Sequence, residues 1–345
     1  MAVTLKDLSR LSGVSTTTIS YILAGKGNEM KISSATQERV WQIAKLHHYR
    51  ANRLAKCLRR RTTKTIGVVM NDLSSSWANE IMMGVNNVLL TAGYQPLLGV
   101  TTFMREREEK LINAFLELQV EGVLVQPVAQ SGEFYHRLLG MTETPVIFIG
   151  DAIDGLDVKS FMLDPEWAGR EQIDVLYRLG HRHIACITTD YDSMQSRGRR
   201  EGALRRMAEL HLVMPPEYLC ETRTMSPDTD REIARRLLAL PQPPTAIAVF
   251  CDMIAFRILG AVREAGRSDV AVIGCGDLPE SGSELISLST ISEPREEIGR
   301  QAAAYLLECL SGQSQLDLQP VLLRGNVLAR KSSQGQHGVS RTLSK

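Results

Sequence analysis

The chain has 345 residues, 43% of them hydrophobic and 23% charged, with a net charge of +1, which is enough apolar material for two or three domains with cores of their own. It contains no run of eighteen apolar residues and no charged-then-apolar leader, so a cytoplasmic protein with neither membrane span nor secretion signal is expected. Its six cysteines (Cys57, Cys186, Cys220, Cys251, Cys275 and Cys309) are scattered without a C-x-x-C pair, which argues for reduced, buried thiols rather than a disulfide framework or a zinc site.

The small net charge hides an asymmetry. Residues 1–64 hold 13 lysines and arginines against three acids, a net of +10, and the remainder carries −9. A basic front on an acidic body is the electrostatic footprint of a polyanion held at one end.

Thr4-Leu-Lys-Asp7 has the pattern of a capping box, opening a first helix with Leu5, Leu8 and Leu11 on its inner side. Ser12–Gly13 makes a tight turn, which glycine tolerates, and Ser15 caps a second helix running to Leu23. Val14, Ile19, Ile22 and Leu23 form the buried side of that helix and leave Thr16, Thr17, Ser20 and Tyr21 to an outside partner. Small hydroxyl residues at the start of a short helix suit the major groove, where the first turn meets base edges; the same pattern also serves plain capping. Ser34-Ala-Thr-Gln37 reads as another capping box, opening a helix with Val40, Ile43 and Ala44 inward.

Asn52-Arg-Leu-Ala-Lys-Cys-Leu58-Arg59-Arg60-Arg61 follows, a helical pattern too short to be stable alone. A leucine within a strongly basic short helix is the composition of a minor-groove wedge, and equally that of a basic linker. From Thr65 strands and helices alternate. Continuous apolar runs occur at Ile66–Met70, Gln95–Val100, Gly122–Gln126, Pro145–Gly150, Ile184–Thr188, Ala246–Cys251 and Val270–Gly274. Helical patterns occupy Trp77–Ala92, Glu106–Leu118, Pro165–Leu179, Gly198–Leu210, Asp228–Leu240, Asp252–Ala265 and Pro294–Leu310. Such βαβ repetition implies parallel sheets covered on both faces, and its length implies two lobes with a cleft between them.

Taken together these motifs resemble the lactose-repressor/galactose-repressor family of bacterial transcription regulators. The likeness rests on Thr4-Leu-Lys-Asp-Leu-Ser-Arg-Leu-Ser-Gly-Val-Ser-Thr-Thr-Thr-Ile-Ser, Ile32-Ser-x-x-Thr36-x-x-Arg39-Val and Asn52-Arg-x-Ala-x-x-Leu58. Later pieces are Ile66-Gly-Val-Val, Glu121-Gly-Val, Leu179-Gly-His-Arg-His-Ile-Ala, Arg199-x-x-Gly202, Leu288-Ser-Thr-Ile291 and Ile298-Gly-x-x-Ala302. The fold class this implies is α/β. An all-α helix-turn-helix headpiece (1–51) precedes a hinge helix and linker (52–64), a two-lobed parallel-sheet core like periplasmic binding proteins (65–331) and a disordered tail (332–345). Lobe 1 is expected over about 65–161 and 294–323, and lobe 2 over about 164–290 and 327–331. The chain crosses between them near 161–164, 290–294 and 323–327.

The resemblance further implies a homodimeric repressor on pseudo-palindromic double-stranded operator DNA, released or recruited by a small-molecule effector, a carbohydrate or derivative, bound between the lobes. It carries no cofactor, metal, membrane or catalysis. By position, Thr16, Thr17 and Tyr21 are the base readers, with Thr4, Ser15, Thr18 and Ser20 counted among the headpiece contacts. Asn52 and Ala55 fall on the hinge helix, and Leu58 with Arg59 beside it forms the wedge. For the effector, the implied candidates are Asn71, Asp72, Trp77, Asp164 and Arg199, Asp164 serving either the cleft or the cap of the next helix. Two positions depart from the family pattern. Gly276 stands where an aspartate is usual, in Gly274-Cys-Gly276-Asp277, and Cys251 where an asparagine is usual, with Asp277 and Asp252 as candidate replacements. An altered effector, such as a phosphorylated or less hydroxylated compound, or weakened binding is expected. His181-x-His183 lacks further metal ligands nearby, and no G-x-S-x-G, P-loop or H-E-x-x-H pattern occurs.

Overall fold

The structure is a computed structural model that describes residues 3–49, 62–74, 76–223, 226–313 and 317–334. It forms two compact units, Met1–Thr63 and Lys64–Lys345.

The first unit holds three helices, α1 (Leu5–Ser12), α2 (Thr16–Leu23) and α3 (Ser34–Leu46). Thr4 and Asp7 form the expected capping box, and Gly13 ends α1 at φ 69°. Leu8, Val14, Ile19, Ile22, Val40 and Ala44 make the core. Leu11, expected inside, is 50% exposed, because an eight-residue helix turns only one narrow face to so small a core. The cap of α3 is also shifted. Ser33, not Ser34, accepts the Thr36 N–H, and the Gln37 amide instead donates to the Ile32 carbonyl at 2.8 Å and to Asn28 at 3.0 Å.

The second unit carries two six-stranded sheets. Lobe 1 contains β1 (Thr65–Met70), β2 (Gln95–Val100), β3 (Gly122–Val125), β4 (Val146–Ile149), β5 (Ser160–Leu163) and β11 (Val321–Leu323), ordered β11-β5-β4-β3-β1-β2. Lobe 2 contains β6 (Ile184–Thr189), β7 (Leu219–Thr222), β8 (Ala246–Val249), β9 (Ala271–Gly276), β10 (Ser289–Ser292) and β12 (Val327–Leu328), ordered β12-β10-β9-β8-β6-β7. Every pairing is parallel except the short β10–β12 contact. Lobe 1 is covered by α4 (Ser76–Thr91) and α11 (Arg295–Leu310) on one face and α5 (Arg105–Glu117) and α6 (Gly132–Leu139) on the other. Lobe 2 is covered by α7 (Pro165–Arg178) and α8 (Met194–Glu209), and opposite them by α9 (Pro227–Leu238) and α10 (Asp252–Glu264). The chain passes between sheets after β5, after β10 and between β11 and β12.

Ser332 and Ser333, expected to begin a disordered tail, are buried in lobe 2. The Ser332 hydroxyl donates to the Val272 carbonyl and accepts the Ser289 N–H, so one small polar side chain satisfies two backbone groups of the lobe 2 core. Residues 335–345 lie outside the described ones. Among the described residues no helix is long and apolar enough to cross a membrane.

Each lobe is tied to an incoming crossover by the same device. In lobe 1, α4 and α11 meet at Gly84 and Gly299; in lobe 2, α7 and α8 meet at Gly169 and Gly202. An added Cβ would stand 2.0 Å from the Glu296 carbonyl oxygen at Gly84 and 2.1 Å from that of Ile81 at Gly299. At Gly169 and Gly202 the obstacles are the Arg199 oxygen at 2.0 Å and the Glu166 oxygen at 2.2 Å. Each glycine thus faces the carbonyl three residues before its partner, a spacing open only to a residue without a side chain.

Because backbone cannot yield as a flexible side chain does, Gly202→Ala is expected to destabilise the core by about 1–3 kcal/mol or more, read by denaturant unfolding. Gly260, helical with nothing within 4 Å of an added Cβ, provides the contrast: Gly260→Ala is expected to stabilise by about 0.5–1 kcal/mol. Equal effects at both positions would contradict the close approach.

Candidate functional site

On the first unit, Ser15 caps α2 by accepting the Thr18 N–H at 3.1 Å, and the two hydroxyls bond each other at 2.8 Å. Thr4 is likewise engaged by Asp7. Thr16 and Thr17 are exposed on the first turn, and Ser20 and Tyr21 are half-buried on the next. Lys6, Arg10, Lys26, Lys31, Arg39 and Lys45 of the same unit are exposed as well, a surplus of cations suited to a phosphate backbone. The hinge candidates Asn52, Ala55, Leu58 and Arg59 lie outside the described residues.

On the second unit, a cavity of about 150 Å³ opens between the two lobes. From lobe 1 come Asn71, Trp77, Phe103, Gln126, Pro127, Gly150 and Asp151; from lobe 2 and the second crossover come Tyr191, Ser193, Gln195, Arg199, Phe250 and Glu293. Most of these residues follow the C-terminal ends of parallel strands, where open α/β sheets bind ligands. The lobes touch around it. Trp77 Nε1 donates to Glu293, Ala129 N donates to the Tyr191 hydroxyl at 3.1 Å, and Gln195 N donates to Asp151 at 3.2 Å. The Phe103 and Tyr191 rings meet edge to face at 6.1 Å.

Arg199 is placed by the glycine contact between α7 and α8. Its guanidinium lies 4.2 Å from the centre of the Phe250 ring, and its Nη atoms donate to the Phe250 carbonyl and to Gln195 Oε1. The residue is 8% exposed and its Nε has no acceptor. Among the described residues no carboxylate lies within ion-pair distance of it. Burial works against its charge, but the surrounding Cys275, Glu293, Cys251 and Asp151 hold its pKa above the usual value. Burial pushes the Asp151 carboxyl up, opposed by N–H groups of Ala152 and Gln195 and the Ser193 hydroxyl. A buried cation with a spare donor beside polar amides and aromatic rings can hold a small polar ring compound.

The structure therefore brings Asn71, Trp77 and Arg199 to one cavity and leaves the four proposed aspartates outside it. Asp72 is turned onto Ser74, accepting its N–H at 3.0 Å. Asp164 caps α7 through the Trp167 N–H and pairs with Arg324, both at 3.0 Å. Asp252 is buried beneath the β9 end, accepting from Leu278 N, Ser281 Oγ and Thr290 Oγ1. Asp277 pairs with Arg330 at 2.7 Å. Neither of the last two replaces the polar groups lost at Gly276 and Cys251. His181 bonds Thr245, and no group of metal-ligating residues forms among the described residues. The lining residues not foreseen, notably Phe103, Gln126, Asp151, Tyr191, Phe250 and Glu293, sit at or just past strand ends and could have been found by that rule.

Beneath the lobe 1 wall, the Glu108 carboxylate is fully buried and holds the 128–131 segment that reaches Tyr191. It accepts from Val128 N at 2.9 Å, Tyr135 Oη at 2.8 Å and the Ser131 hydroxyl. Burial outweighs these bonds and raises its pKa to about 6 from 4.5. The folded state then binds more protons than the unfolded one, so this group favours folding below about pH 4.5, and that contribution fades as pH rises through about 6. Its span is on the order of 2 kcal/mol. Glu108→Gln is expected to flatten the pH dependence of unfolding in that window; an unchanged profile would assign the dependence elsewhere.

The sequence profile of the lacI family of bacterial regulatory proteins matches residues 4–52, and that of a periplasmic binding protein-like domain matches residues 173–333. The HTH-type transcriptional repressor PurR of Aliivibrio fischeri (strain MJ11) is 28% identical over 337 residues, covering 95% of this chain and 99% of that protein. CytR of Escherichia coli (strain K12), another HTH-type transcriptional repressor, is 27% identical over 319 residues, 90% of this chain and 91% of CytR. In fold, the chain is similar to the lac repressor dimer bound to operator and the anti-inducer ONPF, with a TM-score of 0.83 at 23% identity, covering 96% of this chain and 99% of that one. The chain thus joins a headpiece of the lacI family of bacterial regulatory proteins to a periplasmic-binding-protein-like core, and the relatives it aligns with over nearly its whole length are transcriptional repressors, not enzymes.

Proposed function

We propose that this protein is a cytoplasmic, homodimeric transcriptional repressor that reads a pseudo-palindromic operator with Thr16, Thr17 and Tyr21. A small polar effector, a carbohydrate or derivative, binds between the lobes of its core. The observation that carries the effector reading is Arg199, a buried guanidinium with an unfilled donor in the interlobe cavity. The exposed first turn of α2 supports the DNA reading. So do the relatives, which are transcriptional repressors, and the lac repressor structure bound to operator. A cellobiose complex of the regulator CelR, similar in fold with a TM-score of 0.70, supports a carbohydrate-sized ligand. The hinge residues Asn52, Ala55, Leu58 and Arg59 belong to this proposal, with Leu58 as the minor-groove wedge.

The mechanism is a two-state linkage. One lobe arrangement sets the two hinge segments together on DNA, and an effector changes operator affinity only by its differential affinity for the two arrangements. Contacts that span the lobes, such as Trp77–Glu293 and Tyr191–Ala129, are the ones that must rearrange.

Thermal-shift screening of the full chain against sugars, sugar phosphates, nucleosides and nucleobases identifies the effector, and fluorescence anisotropy on operator DNA then reads the response. Arg199→Ala is expected to leave operator affinity unchanged and abolish the response; a response that survives refutes the cleft assignment. Thr17→Ala is expected to cost about 1–3 kcal/mol on the specific operator and little on unrelated DNA. Equal loss on both would reduce Thr17 to a backbone contact.

A further inference from the structure

Arg295 is the first residue of α11, two residues beyond Glu293, and it is 2% exposed. Its Nη1 donates to Glu80 of α4 at 3.0 Å. Its Nε and Nη2 are buried with no acceptor. Native proteins almost always satisfy buried donors, and a guanidinium more so than most, so the place these nitrogens face is informative.

Nη2 lies 3.5 Å from the point where a Cβ on Gly276 would stand. The other atoms near that point are the Asp252 carboxylate carbon and Oδ2, both at 3.8 Å. Asp252 is not the missing acceptor. It forms no ion pair with Arg295, and its oxygens already receive three donors from Leu278, Ser281 and Thr290. Asp277, the next residue along, is held by Arg330. Glu80 engages Nη1 alone. The spare Nη2 of the guanidinium therefore lies beside the place of a side chain that residue 276 lacks.

Neither Gly276 nor Arg295 lines the cavity itself, but the strand order sets Gly276 between two positions that do. In the sheet β9 runs between β8 and β10, and Gly276 pairs with Ser292. The residues that follow β8 and β10, Phe250 and Glu293, both line the cavity, and Gly276 ends the strand between them.

We infer that the effector bears an acidic group, a carboxylate or a phosphate, received by Nε and Nη2 of Arg295 above Gly276. The ligand supplies the acidic oxygens that no side chain supplies here. A planar guanidinium presents paired donors that match either group, and Glu80, which pairs with Nη1 at 3.0 Å, leaves Nε and Nη2 unmet. This inference rests on the reading of the cleft as the effector site.

Thermal unfolding of the full-length protein with inorganic phosphate or acetate, at constant ionic strength and with glycerol as the neutral control, tests it in the wild type, R295Q and R199A. The wild type is expected to gain several degrees with one anion and none with glycerol, and the active anion distinguishes phosphate from carboxylate. R295Q is expected to lose that gain and R199A to keep it. If R295Q fails to fold, R295K, which keeps a cation for Glu80 without the planar fork, is read the same way. A gain unchanged in the Arg295 variant, or no anion-dependent gain in the wild type, overturns the inference. A gain lost in R199A but kept in the Arg295 variant places the anion on Arg199, which overturns this inference and leaves the cleft reading standing.

Discussion

Four glycines set the spacing on which the rest of the core depends. Where α4 meets α11 and α7 meets α8, backbone rests on backbone, with no side chain between. One helix of each pair arrives directly from a crossover and the other follows the first strand of its lobe. The contact therefore fixes where the connecting segment enters, and with it the residues that the segment carries. Glu293 and Arg295 precede or open α11, and Arg199 lies on α8, whose carbonyl meets Gly169. A shift of a helix pair by the width of a methyl group would move the side chains that pair carries, and a cavity of about 150 Å³ has little room to absorb it.

Within that frame the polar groups divide into two kinds. Asp164, Asp252 and Asp277 are consumed by the fold: each meets backbone N–H groups, hydroxyls or an arginine, and so completes a cap, a strand end or a tail contact. Arg199 and Arg295 are buried yet incompletely met. These open donors are the groups to which the proposed effector contacts are assigned. That contrast locates the interest of the site more sharply than charge alone, since the cavity lining holds two acids, Asp151 and Glu293, beside the single Arg199.

Much of the architecture was legible in the sequence. Continuous apolar runs mark the buried parallel strands β1, β3, β4, β6, β8 and β9, and long amphipathic patterns mark most helices, because burial on two faces leaves a strong compositional trace. Elements with weak traces escaped. Strand β7 is a four-residue edge, β11 and β12 are shorter still, and β10 reads Ser-Thr-Ile-Ser. Helix α8 begins at Met194 rather than Gly198 because its first turn is set by the Ser193–Ser196 capping box and carries no apolar stripe. In the candidate site, Asn71, Trp77 and Arg199 could be pointed to by motif. The aspartates could not be sorted, because sequence does not reveal whether a carboxylate faces backbone donors or open space. Gly276 was visible as a departure, but its partner Arg295 was not, since the two meet only through the strand order of lobe 2.

The hydrogen bond from the Trp77 indole to Glu293 has a practical side. The chain has three tryptophans. Trp41 is half exposed on the first unit, and Trp167 packs against the lobe 2 core away from the cavity. Trp77 alone among them lines the cavity, with its indole N–H tied to a carboxylate of the crossover. Indole emission responds to that bond and to the polarity around the ring. The protein thus carries its own optical gauge of whether the cleft is shut, open or filled, readable without a label once Trp41 and Trp167 are replaced by phenylalanine.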